Sequence, residues 1–179
     1  MQAGERGDFI GGSGRIRSDG HGDGGGWVVC RLGDRHWGRY GAAGLLLHVG
    51  GQAAGRHVLL QLRAGWSHQG GTWGLPGGAR NSNETPEQAA LREATEETGI
   101  DSSLLSVRGS VVDDQCGWSY VTVLAAAPAV LPVGPVSGES DDVRWIPEAR
   151  VGQFPLHPRL AQMWPRLRGA LDDADSQRR

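Results

Sequence analysis

The sequence predicts an α/β (α+β) sandwich in which helices pack on a mixed β-sheet. The first observation is the order of segments, because strand-like runs are followed by a capped helix, further strands and a last helix. The second is that GAAGLLLHV (41–49) and HVLLQLR (57–63) are apolar enough for buried strands. The third is the length: 179 residues suffice for one domain with a sizeable core and are few for two.

Composition excludes several classes of protein. The net charge of −2 is not that of a general binder of nucleic-acid polymers or membranes. The chain has no run of eighteen apolar residues, and its first ten residues lack a basic segment followed by an apolar one, so we expect a cytoplasmic protein. All 18 basic residues are arginine and 30 residues are glycine, which favours an origin in a high-GC bacterium. Monomer and homodimer both stay open.

The chain divides into four segments. Residues 1–26 are rich in glycine and poor in apolar residues, so we expect a flexible arm. Residues 27–40 suggest a short β-hairpin that leads into the main domain at 41–172, and 173–179 are expected to be a disordered tail. The two cysteines, Cys30 and Cys116, form no paired motif and fit a reducing compartment. Cys30 and His36 lie six apart, but one cysteine and one histidine do not make a zinc site.

The main domain has clear local signals for its elements. Thr85 is a good N-cap, Pro86 suits the first helical position and Gly99 suits the position after the last turn, so a helix is predicted from about 86 to 98. LLSVRGSVV, WSYVTVLAAA and VRWI predict later strands. An amphipathic helix is predicted over 157–171, kinked or interrupted at Pro165.

The predicted helix carries a cluster of carboxylates. Glu93, Glu96 and Glu97 share one face at 3.6 residues per turn, where like charges destabilise a bare helix. Arg92 lies four residues before Glu96 and offsets part of this repulsion. A divalent cation would offset more, and Mg²⁺ prefers carboxylate oxygens together with substrate phosphates. A glycine pair just upstream lets backbone approach the same place, which suits phosphoanhydride chemistry.

These residues belong to a longer pattern. The sequence fits the pattern Gly-x5-Glu-x7-Arg-Glu-x-x-Glu-Glu-x-Gly. At average residue frequencies, the probability that a chain of this length matches all seven positions by chance is on the order of 10⁻⁶. Ala94 stands where a larger aliphatic residue is usual. The chain therefore resembles the MutT-like Nudix hydrolase family over residues 38–170, and WGLPGG and GAAGLLL add to the resemblance. The matched positions are Gly78, Glu84, Arg92, Glu93, Glu96, Glu97 and Gly99.

The seven matched positions form the pattern known as the Nudix box. The resemblance implies a Nudix α/β/α sandwich and a role for each residue of this box. Glu93, Glu96 and Glu97 would bind Mg²⁺ or Mn²⁺, and the Gly77 carbonyl would complete the inner shell. One of the three glutamates could also act as the general base. Arg92 would orient a carboxylate and Glu84 would support it. A further glutamate from a later loop is common in the family. Here that residue is Glu139, with Asp141 and Asp142 as competitors.

Substrate contacts are less sharply indicated. Arg63 and Arg80 flank the glycine loop and could bind phosphates, or could be merely exposed. Three aromatic residues, Trp118, Tyr120 and Trp145, could stack on a base or simply pack on strands. The family branch that removes oxidised guanine nucleotides often has an asparagine near the last helix. The corresponding stretch has none, with His157 or Arg159 nearby, so the sequence does not favour that branch.

The resemblance implies a Mg²⁺-dependent pyrophosphohydrolase that acts on a nucleoside triphosphate or another nucleoside diphosphate linked to a group X. In-line attack of an activated water on phosphorus would be the reaction. An ADP-ribose or nucleotide-sugar pyrophosphatase is the alternative within enzymes. From another class, a non-catalytic nucleotide-binding module of the same fold is the alternative, although all box glutamates are present.

Overall fold

A computed structural model describes residues 22–51 and 55–176, and every structural statement below concerns these residues. The predicted flexible arm lies mostly outside them, apart from its last five residues. The strands are β1 (Trp27–Val29), β2 (Arg35–Trp37), β3 (Ala42–Val49), β4 (His57–Arg63), β5 (Trp73–Gly74), β6 (Gly77–Ala79), β7 (Ser106–Gln115), β8 (Trp118–Ala126) and β9 (Ser140–Pro147). The helices are α1 (Pro86–Thr98) and α2 (Pro158–Ser176), with short 3-10 turns at Ser102–Leu104 and Glu148–Gln153.

Seven strands form one mixed sheet. Its central order is β5-β4-β3-β8-β7, while β6 pairs with one end of β3 and β9 pairs with β4. Only β3 and β8 run parallel to each other, and the other pairs are antiparallel. Because β4 occupies one end of the β3 edge and β6 the other, the two share that edge. The row β6-β3-β8-β7 therefore crosses the sheet at the start of β3.

One helix covers each face of the sheet. Small residues of α1 pack with alternate residues of β3 and β8 in one core cluster. Large residues of α2 pack with the other set of alternate residues in a second cluster. The two-residue period of the strands separates these faces, so that Leu45 and Val123 meet α1 whereas Leu46 and Leu124 meet α2. The predicted α/β/α sandwich is confirmed.

The first helix begins and ends where its sequence indicates. Thr85 Oγ1 accepts from the Gln88 N–H, and the Gln88 side chain accepts from the Thr85 N–H, which completes a capping box. Gly99 closes the helix at φ 70°, in the left-handed region that favours glycine. Ala89, Ala90 and Ala94 are buried, and their small size brings α1 close to the sheet. The predicted helix is therefore confirmed.

The last helix differs from prediction in two ways. It runs through Pro165, which contradicts the interrupted alternative and leaves a kink as the prediction, and its residues Leu160, Trp164, Leu167 and Leu171 are buried in the second core cluster. This packing offsets the one backbone hydrogen bond that proline removes. The helix also continues to Ser176, beyond the expected start of the tail. Residues 177–179 lie outside the described part of the chain. No helix among the described residues is long and apolar enough to span a bilayer.

A buried arginine holds the last helix to the sheet. Arg56 is only 4% exposed and donates to Glu148 at 2.6 Å, to Asp175 at 3.0 Å and to Asp172. Three carboxylates around one guanidinium satisfy its donors and offset the cost of its burial. The two aspartates lie on the last turns of α2. Their pairing explains why the helix extends into the region predicted as tail.

The N-terminal segment folds against the sheet. β1 and β2 form an antiparallel hairpin, in which Trp27 pairs with Trp37. Gly24 accepts from the Arg39 N–H at 2.9 Å, so the last residues of the expected arm are also hydrogen-bonded. The expectation of two unpaired cysteines is wrong, since the structure joins Cys30 of the hairpin to Cys116 of the β7–β8 turn as a disulfide. Sequence spacing could not show this pairing, because 86 residues separate the two positions.

The Arg56 cluster predicts a pH-dependent contribution to stability. Burial alone would raise the pKa of Glu148, but hydrogen bonds from Arg56 and Arg168 outweigh it and hold that pKa below its usual value. A lowered carboxyl pKa stabilises the fold above the pKa of the unfolded chain, and this contribution is lost as the pH falls through the folded pKa. We expect Glu148→Gln to lower the free energy of unfolding at pH ~7 by about 2 kcal/mol.

Urea unfolding at a series of pH values measures this effect. The difference between wild type and Glu148→Gln should shrink as the pH falls from about 6 to about 3. The control is Asp173→Asn, which removes an exposed carboxylate from the same helix. It should change the free energy of unfolding by less than about 0.5 kcal/mol at every pH. A difference that stays constant on acidification would contradict the assigned ion cluster.

Candidate active site

The floor of the site is the row of strands at the start of β3. Residues directly opposite one another in this row are Ala79, Ala42, Tyr120 and Asp113. They share the face that α2 covers further along. A cavity of about 610 Å³ opens over this floor, with Ala42, Tyr120 and Asp113 among its lining residues.

Glu97 is the most buried carboxylate of the site, at 4% exposure. Its Oε2 accepts from the Gly77 N–H at 2.7 Å and from Gln61 Nε2 at 3.0 Å. Burial raises the pKa of Glu97 to about 8, and the neighbouring Glu93 contributes to the increase. Glu97 thus reaches from α1 to the glycine strand β6, and it lines the cavity.

Glu93 lies one helical turn before Glu97 and against Gly78. A Cβ at Gly78 would stand 2.6 Å from Glu93 Cδ, so a larger residue there would displace the Glu93 carboxylate from its position. Burial raises the pKa of Glu93, although a hydrogen bond from Arg92 opposes the increase. The glycine pair of β6 therefore has a direct structural role, because it leaves room for the carboxylates of α1.

Arg92 organises the outer side of the cluster. Its guanidinium donates to both oxygens of Glu84, at 2.6 and 2.9 Å, and to Glu93 Oε1 at 2.7 Å. A longer contact of 3.4 Å reaches Glu96. Hydrogen bonds from Arg92 lower the pKa of Glu84, so this carboxylate is ionised and orients the arginine. Arg92 thus links Glu84 to Glu93, which is a geometry suited to the positioning roles expected of Arg92 and Glu84.

Glu139 joins the group from the loop before β9. It lines the cavity with Glu97, and its charge adds to the forces that raise the pKa values of Glu93 and Glu97. Asp141, one of its competitors, instead accepts from the Gly65 N–H at 3.3 Å. Asp142, the other, pairs with the exposed Arg144. The loop thus brings Glu139, rather than either aspartate, to the cavity.

The donor set fits a hard divalent cation. Glu93, Glu96, Glu97 and Glu139 offer carboxylate oxygens, and Glu93 and Glu97 have raised pKa values because they are buried beside like charges. A cation held by them would relieve this repulsion, and oxygen donors are those that Mg²⁺ and Mn²⁺ prefer. The carboxylates could therefore hold such an ion beside the Gly77–Gly78 backbone.

Four of the six predicted substrate-contact residues line the cavity: Arg63, Trp118, Tyr120 and His157. Burial, with Glu97 nearby, raises the pKa of Tyr120 above its usual range. Burial lowers the pKa of His157, with further lowering from the positive charge of Arg63, so this imidazole is biased towards the neutral form. Tyr120 belongs to the floor, and the other three residues lie around it on β4, on β8 and just before α2.

The other two predicted contacts lie elsewhere. Trp145 packs against the core cluster on the α1 side, where its indole N–H donates to the Leu131 carbonyl at 3.0 Å. Of the two alternatives for Trp145, stacking on a base or packing on its strand, the structure agrees with packing. Arg80 follows β6 and is not among the described residues that line the cavity, and its backbone N–H donates to the Gly41 carbonyl.

Sequence reasoning missed several residues of the site. Gln61 is a buried polar residue in β4, and a lone glutamine inside HVLLQLR was the available signal. Asp113 is 8% exposed on the floor, where Arg159 donates to both of its oxygens, with 2.6 Å between Nε and Oδ2. Trp27 and Trp37 of the hairpin also line the cavity. No local pattern connects these tryptophans to the site, because the hairpin is placed by tertiary contacts.

Gln61 provides a test of the cluster that does not need a substrate. Its amide donates to Glu97, while its Oε1 accepts from Ser140 Oγ at 2.8 Å, so the glutamine fixes the carboxylate. Gln61→Met should weaken Mn²⁺ binding about 10- to 100-fold, as is typical when a ligand loses its outer partner. Isothermal titration or electron paramagnetic resonance measures the affinity. Gln153→Met, at an exposed position, should bind Mn²⁺ like wild type, and equal affinities in both variants would exclude this role.

Comparisons with known proteins agree with the geometry. The chain matches the NUDIX domain family over residues 39–167. It is 54% identical over 155 residues to a Mycobacterium tuberculosis protein named putative 8-oxo-dGTP diphosphatase 3, and the match covers 83% of this chain and 71% of that protein. The Nudix hydrolase RenU from M. smegmatis superposes with a TM-score of 0.76 at 49% identity, covering 80% of this chain and 92% of the other.

A more distant likeness concerns the fold alone. The Ap4A hydrolase of C. elegans superposes with a TM-score of 0.58 at 21% identity, over 73% of this chain and 96% of the other. The mycobacterial relatives also agree with the high-GC bacterial origin that the composition predicts. Nudix enzymes act on small nucleotide substrates and generally use a divalent metal ion, for which the glutamate group has suitable donors. The chain belongs to the NUDIX family and is a Nudix hydrolase.

Proposed function

We propose that this Nudix hydrolase is a Mg²⁺- or Mn²⁺-dependent pyrophosphohydrolase of purine nucleoside triphosphates, with guanine nucleotides preferred. One observation carries the proposal. A single cavity of about 610 Å³ is lined both by Glu97, Glu139 and the glycine pair and by Asp113 with Arg159. The first group suits a metal-bound polyphosphate, and the second offers an acceptor and donors for a base.

The distance between the two groups supports a nucleotide that lies across the sheet. β6, which carries the glycine pair, and β7, which carries Asp113, are separated by β3 and β8. Three strand spacings amount to about 14 Å. A purine nucleoside with an extended triphosphate is long enough to bridge this distance, with its phosphates beside β6 and its base beside β7.

The chemistry at the phosphate end follows from the carboxylates. A bound Mg²⁺ or Mn²⁺ would neutralise phosphate charge and lower the pKa of the attacking water. Glu93, Glu96 and Glu97 would hold the ion, and Glu139, which lines the same cavity, would accept a proton from water as the general base. Arg63, on the cavity wall, would bind the phosphates. The products would be a nucleoside monophosphate and pyrophosphate if water attacks the α-phosphorus.

The base end favours guanine over adenine. The Asp113 carboxylate only accepts hydrogen bonds, and guanine has N–H donors on its Watson–Crick edge where adenine has an acceptor and a single amino group. Arg159 offers donors to the guanine O6 and N7. The asparagine common near the last helix in the oxidised-guanine branch is missing, and these two residues would take its part. Since a relative at 54% identity is named putative 8-oxo-dGTP diphosphatase 3, 8-oxo-dGTP belongs among the substrates tested. The cytoplasmic location stays a prediction from the sequence.

Removal of the central carboxylate tests the proposed reaction. Glu97→Gln should reduce kcat more than about 100-fold, since even loss of an outer partner costs 10- to 100-fold at metal sites. Hydrolysis of GTP, dGTP, 8-oxo-dGTP, ATP and ADP-ribose with and without Mg²⁺ is the assay, with pyrophosphate and orthophosphate measured separately. The control is Glu87→Gln, an exposed glutamate on the first turn of the same helix, which should keep its rate.

The substrate panel also decides between the alternatives. Faster hydrolysis of ADP-ribose than of every triphosphate would replace the triphosphate proposal with the pyrophosphatase alternative. Nucleotide binding without turnover in any metal would identify a binding module. An undiminished rate in Glu97→Gln would reject the placement of the metal at this cluster.

Base preference is tested at Asp113. Asp113→Asn should lower kcat/KM for guanine nucleotides about 10-fold or more while adenine nucleotides lose less, because one well-placed acceptor separates the two bases by about 1–3 kcal/mol. Asp173→Asn, exposed on α2, is the matched control. A parallel loss for both bases would mean that Asp113 only holds Arg159 and does not read the base.

A further inference from the structure

A second group of potential metal ligands lies apart from the glutamates. The sulfurs of Cys30 and Cys116 and a ring nitrogen of His36 all lie within 4.8 Å of one another. We refer to these three residues as the thiol–imidazole cluster. In the part of the chain that the structure describes, no other group of three cysteine, histidine or carboxylate side chains has donor atoms this close. Two of its members come from the β1–β2 hairpin and one from the β7–β8 turn.

His36 Nε2 is buried and has no hydrogen-bond partner among the described residues. An unsatisfied buried nitrogen is costly and calls for an explanation. The ring is also held in place, because it stacks on Trp118 with 4.7 Å between centroids and 12° between planes. Trp118 is in turn fixed by its hydrogen bond to the Gly38 carbonyl at 2.8 Å.

The third ligand is placed by an unusual backbone conformation. Cys116 has φ 54°, in the left-handed region, and Gly117 follows with φ 97°. Positive φ is uncommon for a residue other than glycine and is maintained only where the surroundings determine it. This turn points the Cys116 sulfur at the hairpin, with 5.7 Å between the Cα atoms of the two cysteines.

We propose that the thiol–imidazole cluster is a zinc site when its cysteines are reduced. Two thiolates and one imidazole are common zinc ligands, and three protein ligands leave the fourth tetrahedral position for water. His36 Nε2 has no hydrogen-bond partner among the described residues, so a ring nitrogen of this histidine is available to the ion. The chain would then hold two different metals, because carboxylate oxygens select Mg²⁺ or Mn²⁺ whereas thiolates select Zn²⁺.

Such an ion would tie the hairpin to the sheet beside the cavity. Trp27 and Trp37 of the hairpin and Trp118 of β8 all line that cavity. Zinc loss from the reduced chain would loosen the hairpin on the β7–β8 turn, because the disulfide is then broken and only noncovalent contacts remain, such as the stacking of His36 on Trp118. The inference does not depend on the proposed substrate, since neither metal content nor hairpin protection requires a nucleotide.

The experiment begins with the full chain treated with a phosphine reductant. The phosphine takes the oxygen of one water molecule to become its oxide, the S–S bond breaks, and the two protons of that water go to the sulfurs. Zinc added to the dithiol displaces both protons as it binds. After removal of free metal in the presence of excess Mg²⁺, elemental analysis should find about one zinc ion per chain.

Variants and a spectroscopic probe locate the ion. Cys30→Ser, Cys116→Ser and His36→Ala should each weaken zinc binding more than about 100-fold, beyond the effect of losing an outer partner. His57→Ala on β4 and Glu97→Gln at the carboxylate site should keep the ion. Cobalt in place of zinc should show sulfur-to-metal charge-transfer absorption in the wild type. This measurement uses the unmodified chain, so its result does not depend on whether a variant folds. Hydrogen exchange of residues 27–37 should become faster when zinc is removed from the reduced chain.

Three results would overturn the proposal. The first is that the reduced wild-type chain binds no more zinc than the Cys30→Ser variant does. The second is that bound cobalt shows no thiolate-to-metal charge-transfer absorption. The third is that His36→Ala keeps full zinc affinity while the cysteine variants lose it, which would leave a two-thiol contact in place of the three-ligand site. Failure of the nucleotide assays would change none of these outcomes, so the two proposals fail independently.

Discussion

The arrangement of the active site depends on one buried carboxylate. Glu97 accepts hydrogen bonds from Gly77 of β6 and from Gln61 of β4, while its own backbone belongs to α1. Helix, glycine strand and central strand thus meet at a single group whose pKa burial raises to about 8. A charge in this place is costly without a cation. The close approach of α1 to β6 leaves the Glu93 carboxylate against Gly78, where no side chain displaces it, and is allowed by small buried residues on the inner face of the helix.

The elements that sequence predicts best are those whose signals are local. The bounds of α1 follow from Thr85, Pro86 and Gly99, each of which satisfies or ends a helical turn by itself. The buried strands β3 and β4 follow from continuous apolar runs. Pro165 is a counterexample, because proline disfavours a helix interior locally but four buried neighbours on α2 hold the helix together. Local signals therefore determine an element only where tertiary packing does not oppose them.

The residues that sequence could not assign come from contacts between distant segments. Cys30 and Cys116 meet across 86 residues, and Asp113 meets Arg159 across 46. Trp145 and Trp118 look alike in sequence, yet they lie in strands at different places, and only Trp118 reaches the cavity. Which face an aromatic residue occupies depends on strand register, and register depends on the whole sheet. No spacing rule along the chain contains that information.

The same distinction between local signals and long-range contacts separates recognition of the reaction from recognition of the substrate. Gly77 to Glu97 is one continuous segment, and it contributes the glycine pair, the positioning arginine and three carboxylates, so a linear pattern is enough to recognise the reaction. The other walls of the cavity come from the hairpin, β4, β7, β8 and α2, which meet only in the folded protein. Substrate preference is therefore a property of the tertiary structure. If the proposed base contacts are right, a chain can keep the full glutamate pattern and still change its substrate, because Asp113, Arg159 and the hairpin tryptophans can vary without any change in residues 77–97.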